Sequence, residues 1–185
     1  MRLKRTHTIF IFRSATLVVW LGMLFSFTAT AQQATPEYQV KAVFLFNFTR
    51  FVDWPPSSFE SANSPFIIGI IGTDPFGSYI DETVSGETAG QHAIVVKRFK
   101  TIKEISNCQV LYIAATDDVQ LKEIISECRD KPILTVSDIS NFTLMGGVIG
   151  FVIESDKIRM QINTESAKAA SLVISSKLLR LAKGS

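Results

Sequence analysis

Between Pro36 and Pro55 the chain runs for eighteen residues without a glycine or a proline. Within this run, "FLFNFTRFVDWP" (44–55) sets Phe44, Phe46 and Phe48 at alternate positions, as a strand would. Eighteen residues are about three times the usual strand length, however, and that favours a helix. Pro36 suits a first helical turn, Glu37 suits the positive helix end, and Pro55-Pro56 stops the element. The expected helix covers 37–54. At 100° per residue, Val40, Phe44, Leu45, Phe48, Phe51 and Val52 share one broad apolar arc, with Gln39, Asn47, Thr49, Arg50 and Asp53 opposite. A helix of this kind has to lie on a core. Its outer side is not cleanly polar, because Val43, Phe46 and Trp54 project among Asn47, Arg50 and Asp53. Aromatic residues beside arginine are what protein interfaces concentrate. The other reading is that the 55–64 loop folds back over Phe46 and Trp54, and both stand at this point.

The first thirty-one residues do not belong to that core. Arg2, Lys4, Arg5 and Arg13 form a basic start without an acid, an apolar run follows over 15–27, and Ala29-Thr30-Ala31 is a small-x-small cleavage pattern. These are the parts of a secretory signal peptide, with cleavage after Ala31. The apolar run is too short to span a bilayer comfortably, since that takes about 20 apolar residues. Residues 32–185 then form one domain with one core. Losing four basic residues takes the formal charge from +2 to −2, so nothing electrostatic points to nucleic acid.

Along 32–185, "FIIGII" (66–71), "AIVVKRF" (93–99), "CQVLYIAA" (108–115) and "ILTVSD" (133–138) read as strands separated by helical or turn segments. Asp117 or Asp118 caps a helix carrying Leu121, Ile124 and Ile125. "VIGFVIESDKIRMQINTE" alternates apolar and polar residues about a turn at 154–157, as a terminal hairpin does. A last helix is expected over 165–182 behind Asn163 or Thr164, with Ala167, Ala170, Ile174, Leu178 and Leu181 inward. The fold class is α/β: a single-domain, Rossmann-like sandwich whose mostly parallel sheet ends in a C-terminal antiparallel hairpin, with helices on both faces.

Residues fit for catalysis are scarce. His92 is the only histidine after residue 31, which leaves no His-based triad a choice of base and excludes a multi-histidine metal site. It sits in a polar turn and reads as solvated. No catalytic residue, metal ligand or cofactor motif emerges. The turn "GTDPFG" follows the first strand of the sheet and opens a helix, where open α/β sheets bind ligands, so Gly72, Thr73, Asp74 and Gly77 are ligand-binding candidates. It lacks GxGxxG and a P-loop lysine, and tight-turn chemistry accounts for it more simply. Cys108 opens a strand and Cys128 closes the next helix. In an oxidising compartment the pair is a disulfide candidate, the alternative being two buried small apolar residues.

Five segments carry a resemblance: "YQVKAVFLFNFTRFVDWP", "IIGIIGTDPFG", "CQVLYIA", "PILTVSDISNFTLMGGVIGFV" and "IRMQINTESAKAASLVISSKLLRLA", in that order. Over 38–183 the chain resembles the YfiR/HmsC-like family of exported bacterial proteins. The resemblance implies a non-catalytic periplasmic α/β protein that binds the periplasmic sensor region of an inner-membrane diguanylate cyclase and holds it inactive. Cyclic-di-GMP and biofilm formation would fall as a result. It also implies a homodimer, no membrane insertion after signal cleavage, and redox-sensitive disulfides. Only Cys108 lies in one of the matching segments, and the cysteine pair that some members carry near 146–152 is missing. Val43, Phe46, Asn47, Arg50, Asp53 and Trp54 are the candidate partner-binding residues. The alternative function is a periplasmic small-ligand-binding module using the 72–77 turn.

Overall fold

The structure, a computed structural model, describes residues 34–105, 107–115 and 117–182. The signal segment expected over 1–31 lies outside the described residues. Helix α1 spans Pro36–Phe51, with Pro36 at its start, Glu37 in its first turn and Arg50 in its last. Both charges complement the helix dipole. The chain leaves α1 in extended form as β1 (Val52–Asp53), which pairs antiparallel with β9 (Val173–Ile174). This small ladder ties the N-terminal helix to the C-terminal segment.

The main sheet is built from β2 (Phe66–Gly72), β3 (Thr88–Ala89), β4 (His92–Phe99), β5 (Val110–Ala114), β6 (Leu134–Ser137), β7 (Ile149–Glu154) and β8 (Lys157–Ile162). Its order is β3-β4-β2-β5-β6-β7-β8. The pairings from β4 across to β7 are parallel, while β3 and β8 add antiparallel strands at the two ends. From β2 the chain moves one way, through α2 (Tyr79–Val84), to β4. It then crosses back to β5 and moves the other way, through α3 (Asp118–Cys128), to β6. The carboxyl ends of β2 and β5 therefore flank a topological switch point.

Strand alternation divides the apolar residues between two faces. Phe66, Ile68 and Ile70 of β2 and Val110 and Tyr112 of β5 join the core beneath α1, α2 and the C-terminal helices. Ile67, Ile71, Leu111 and Ile113 join the opposite core, closed by Leu121, Ile124 and Ile125 of α3 and by Phe142. Burying each such side chain contributes about 1.5–3 kcal/mol. Asp117 caps α3 by accepting from the Gln120 amide. The turn after β2 needs glycine, since Gly72 has φ +95 and a Cβ there would lie 2.0 Å from the Ala114 carbonyl oxygen. Gly147 is needed for close approach, because its Cβ would lie 2.2 Å from the Phe142 ring.

Two expected elements are corrected. The first helix ends at Phe51, not at residue 54, because Val52 and Asp53 pair with β9. The single helix expected over 165–182 is two short ones, α4 (Thr164–Ala169) and α5 (Ser176–Leu181), with β9 between them. Asn163 and Ser175 each cap a helix, and Ser171 turns the chain at φ +56. The ladder with β1 overrides local helical pattern, and Leu181 of the expected inward stripe is exposed. His92 is not simply solvated: its ring stacks on Phe59 at 3.8 Å and its Nδ1–H donates to the Ser64 carbonyl at 2.6 Å.

Gly72→Ala should cost more than about 2 kcal/mol, combining strain at positive φ with a backbone clash. Gly90→Ala has the same sign of φ but open space around it, so about 1 kcal/mol is expected. Urea unfolding of the two variants measures the difference.

Candidate functional site

The inward face of α1 carries a charge. Lys41 is only 2 % exposed and shares its face with Ala42, Leu45 and Phe48. Its Nζ donates to Asp138 Oδ2 at 2.6 Å and also bonds Glu37, one turn back on the same helix. Asp138 directly follows β6. Ser137, fully buried, anchors that position by donating from its Oγ to the Ile113 carbonyl at 2.7 Å and accepting from the Ile139 amide at 3.2 Å. Tyr38 completes the cluster: its hydroxyl donates to Asp138 Oδ2 at 2.9 Å, and its ring lies 4.3 Å from Lys41 Nζ. Edge-on aromatic contacts continue inward from Tyr38 to Phe76 (5.6 Å) and from Phe76 to Tyr112 (4.7 Å). The cluster thus sits at the carboxyl ends of the parallel strands, beside the switch point.

Electrostatics follow from this packing. Burial raises the Asp138 pKa, but the hydrogen bond and charge of Lys41, with help from the Tyr38 hydroxyl, outweigh it and hold the carboxyl below its usual range. Burial first, then the Asp138 contact, pushes Tyr38 up to about 12. Tyr112 is raised too, by burial and then by the Asp138 charge; its hydroxyl is fully enclosed and makes no hydrogen bond of proper geometry. Lys41 did not stand out in the sequence. The available signal was its spacing, four and seven residues before Leu45 and Phe48, which places it in the middle of the core stripe.

With that face fixed, α1 turns Val40, Val43, Asn47 and Arg50 outward. Val40, expected on the inward arc, is 47 % exposed and Val43 is 41 % exposed. Lys41 takes the central buried position, and Val40 is rotated out. Arg50 lies 4.6 Å above the Phe46 ring and reaches Glu87 at 3.4 Å, both charged groups being about half exposed. Of the six residues singled out as partner-binding, Val43, Asn47 and Arg50 form this row and Phe46 flanks it. Asp53 is exposed but belongs to β1. Trp54 lies beyond the helix, where its Nε1 donates to the Gln109 carbonyl at 3.0 Å and its ring meets Phe66 edge-on at 4.9 Å. The fold itself holds Trp54. Gln109, 1 % exposed, is the hub there: its side chain accepts from the Ile67 amide at 2.7 Å and donates to the Ser58 carbonyl at 2.6 Å.

Of the other sequence candidates, Asp74 and Gly77 are engaged within the fold. Asp74 accepts from the Phe76 amide at 2.7 Å through one oxygen and from Arg98 Nε at 2.7 Å through the other. Arg98 also binds the Gly77 carbonyl and Asp81, and the Asp81 bond chiefly raises its pKa. Gly72 forms the tight turn, and Thr73 is exposed. Cys108 and Cys128 are free thiols, each pushed up to about 12 by burial. Among the described residues no group of three or more His, Cys, Asp or Glu could hold a metal, and no helix is long and apolar enough to cross a membrane.

The fold and site define a small α/β domain with one helix locked onto its sheet and an apolar, basic row turned to solvent. A family model described as YfiR/HmsC-like matches residues 38–183, and the chain belongs to that family. The family is one of regulatory, non-catalytic periplasmic proteins tied to cyclic-di-GMP signalling. Comparison with curated proteins gives no match.

Asp138→Asn should destabilise by about 2–4 kcal/mol, because it leaves a buried ammonium to the partly exposed Glu37 carboxylate alone. Lys41→Met should cost less, since methionine fills the volume and the carboxylate left behind is partly exposed. The Asp138 pKa is depressed on folding, so its contribution is full above the ordinary value of 3.8 and is lost as pH falls through the lower folded value. Thermal melts between about pH 2 and 7 should show this acid limb in the wild type and a shallower one in Asp138→Asn.

Proposed function

We propose that the protein is a periplasmic regulator that binds the periplasmic sensor region of an inner-membrane diguanylate cyclase and holds it inactive. Lower cyclic-di-GMP and less biofilm are the consequence. Family membership supports the class of partner. The observation that carries the reading is the row of Val40, Val43 and Arg50, exposed around a half-buried Asn47, on a helix whose opposite face is fixed. Exposed valines beside an arginine stacked on phenylalanine offer a partner both apolar area and a cation. The Arg50–Glu87 contact is long and solvated, so the guanidinium exchanges Glu87 for a partner carboxylate at little cost. A small ligand at the 72–77 turn gains no comparable support, because the carboxylate of Asp74 and the carbonyl of Gly77 are already engaged by the fold.

Val43→Glu and Arg50→Glu should each melt like the wild type and bind the cyclase's sensor region at least about tenfold more weakly, as interface anchors do. Trp54→Ala should instead lower the melting temperature. Calorimetric titration with the isolated sensor region measures the affinities. Wild-type affinity in both glutamate variants would remove α1 from the interface.

A further inference from the structure

A second feature lies at the opposite end of the strands from the Lys41 cluster, where β5 and β6 begin. There a cavity of about 290 Å³ opens between the Pro56–Ser58 turn and residues 131–133. Its size is near the lower end for small-molecule sites. Ile105, Pro132 and Ile133 give it an apolar wall. Among the described residues, Lys131 is the one charged residue that lines it, and no carboxylate does. The ammonium of Lys131 pairs with Glu127, four residues back, but both groups are close to half exposed, and such pairs are weak. Glu60 lies beyond Asn107, where it accepts from the Asn107 amide and lines a smaller adjoining cavity. Ser58 and Asn107 line both cavities, so Glu60 borders this one across Asn107, its charge engaged by the Asn107 side chain.

Ser58 borders the cavity, and its two polar groups are in different states. The carbonyl is held by Gln109, whereas the enclosed Oγ has no hydrogen-bond partner. A buried hydroxyl left unpaired costs about 1–3 kcal/mol. An acceptor brought into the cavity offers it a partner through a change of χ1 rotamer. An apolar wall, a cation held by one half-exposed acid and an unpaired hydroxyl select an amphipathic anion.

We propose that this cavity binds a small amphipathic carboxylate. Its carboxylate meets Lys131 and Ser58, and its alkyl chain lies along Ile105, Pro132 and Ile133. The site is separate from the outward row of α1 and does not rest on the regulator reading. The volume admits a short chain and excludes a whole lipid.

Sodium hexanoate is the probe, titrated into the purified protein and followed by saturation-transfer difference NMR. The wild type should transfer saturation to hexanoate most strongly at the terminal methyl. Lys131→Gln should weaken binding by about two- to fivefold, the worth of one exposed ion pair. Ser57→Trp, at the exposed rim, should abolish it while the melting temperature stays unchanged. Absence of transfer at millimolar hexanoate overturns the proposal, as does equal binding by Ser57→Trp. Binding that Ser57→Trp blocks but Lys131→Gln leaves untouched, with hexan-1-ol binding equally well, overturns the anionic class of ligand.

Discussion

The ion pair between Lys41 and Asp138 is the contact on which the placement of α1 depends. An ammonium that is 2 % exposed has to meet carboxylates: Glu37 lies one turn back on the same helix, and Asp138 is ninety-seven residues away in sequence. A buried pair adds little net stability over apolar side chains of the same volume. It does punish error: a helix shifted by one residue would bury the ammonium away from Asp138, with Glu37 alone to meet it. The pair therefore fixes α1 in rotation and register, and Tyr38, Phe76 and Tyr112 pack the same junction with aromatic edges. Val52 and Asp53, paired with β9, fix the other end of the helix.

With both ends held, the outer row of α1 is rigid as presented. On the proposed reading, Val40, Val43, Asn47 and Arg50 meet a partner without ordering a loop, which keeps the entropic cost of association low. Arg50 stacked on Phe46 is likewise held near its working position. Membership of a regulatory family fits a surface of this kind better than it fits a reactive centre. At the switch point, where an α/β enzyme would bind its substrate, Tyr38, Lys41 and Asp138 here bond to one another.

Much of this was legible in the chain. Pro36 and Pro55 bracket the first helix, short apolar runs mark the strands, and Asp117 and Asn163 stand where caps belong. What failed to show depended on distant partners. Lys41 reads as one polar residue in an apolar segment, and nothing local announces Asp138. An arc through the apolar residues takes in Val40, but a lysine occupies the centre of the buried face and turns Val40 outward. Residues 171–175 contain neither glycine nor proline, so no local breaker announces the split between α4 and α5. Only pairing with β1 makes that split favourable. Trp54 looked available to a partner because the Gln109 carbonyl and the Phe66 ring that hold it lie elsewhere in the sequence.

Position-specific crosslinking tests most directly whether the outer row of α1 is the docking surface. A photoreactive amino acid is placed at 43 or 47, and for comparison at Val119 or Leu144, exposed apolar and turn positions away from α1. Irradiation of the producing cells, followed by mass spectrometry of the adducts, identifies what each position touches. The account predicts a membrane diguanylate cyclase joined through its periplasmic region at 43 and 47, and no such adduct at 119 and 144. The same adduct from 119 or 144, with none from 43 and 47, would contradict it.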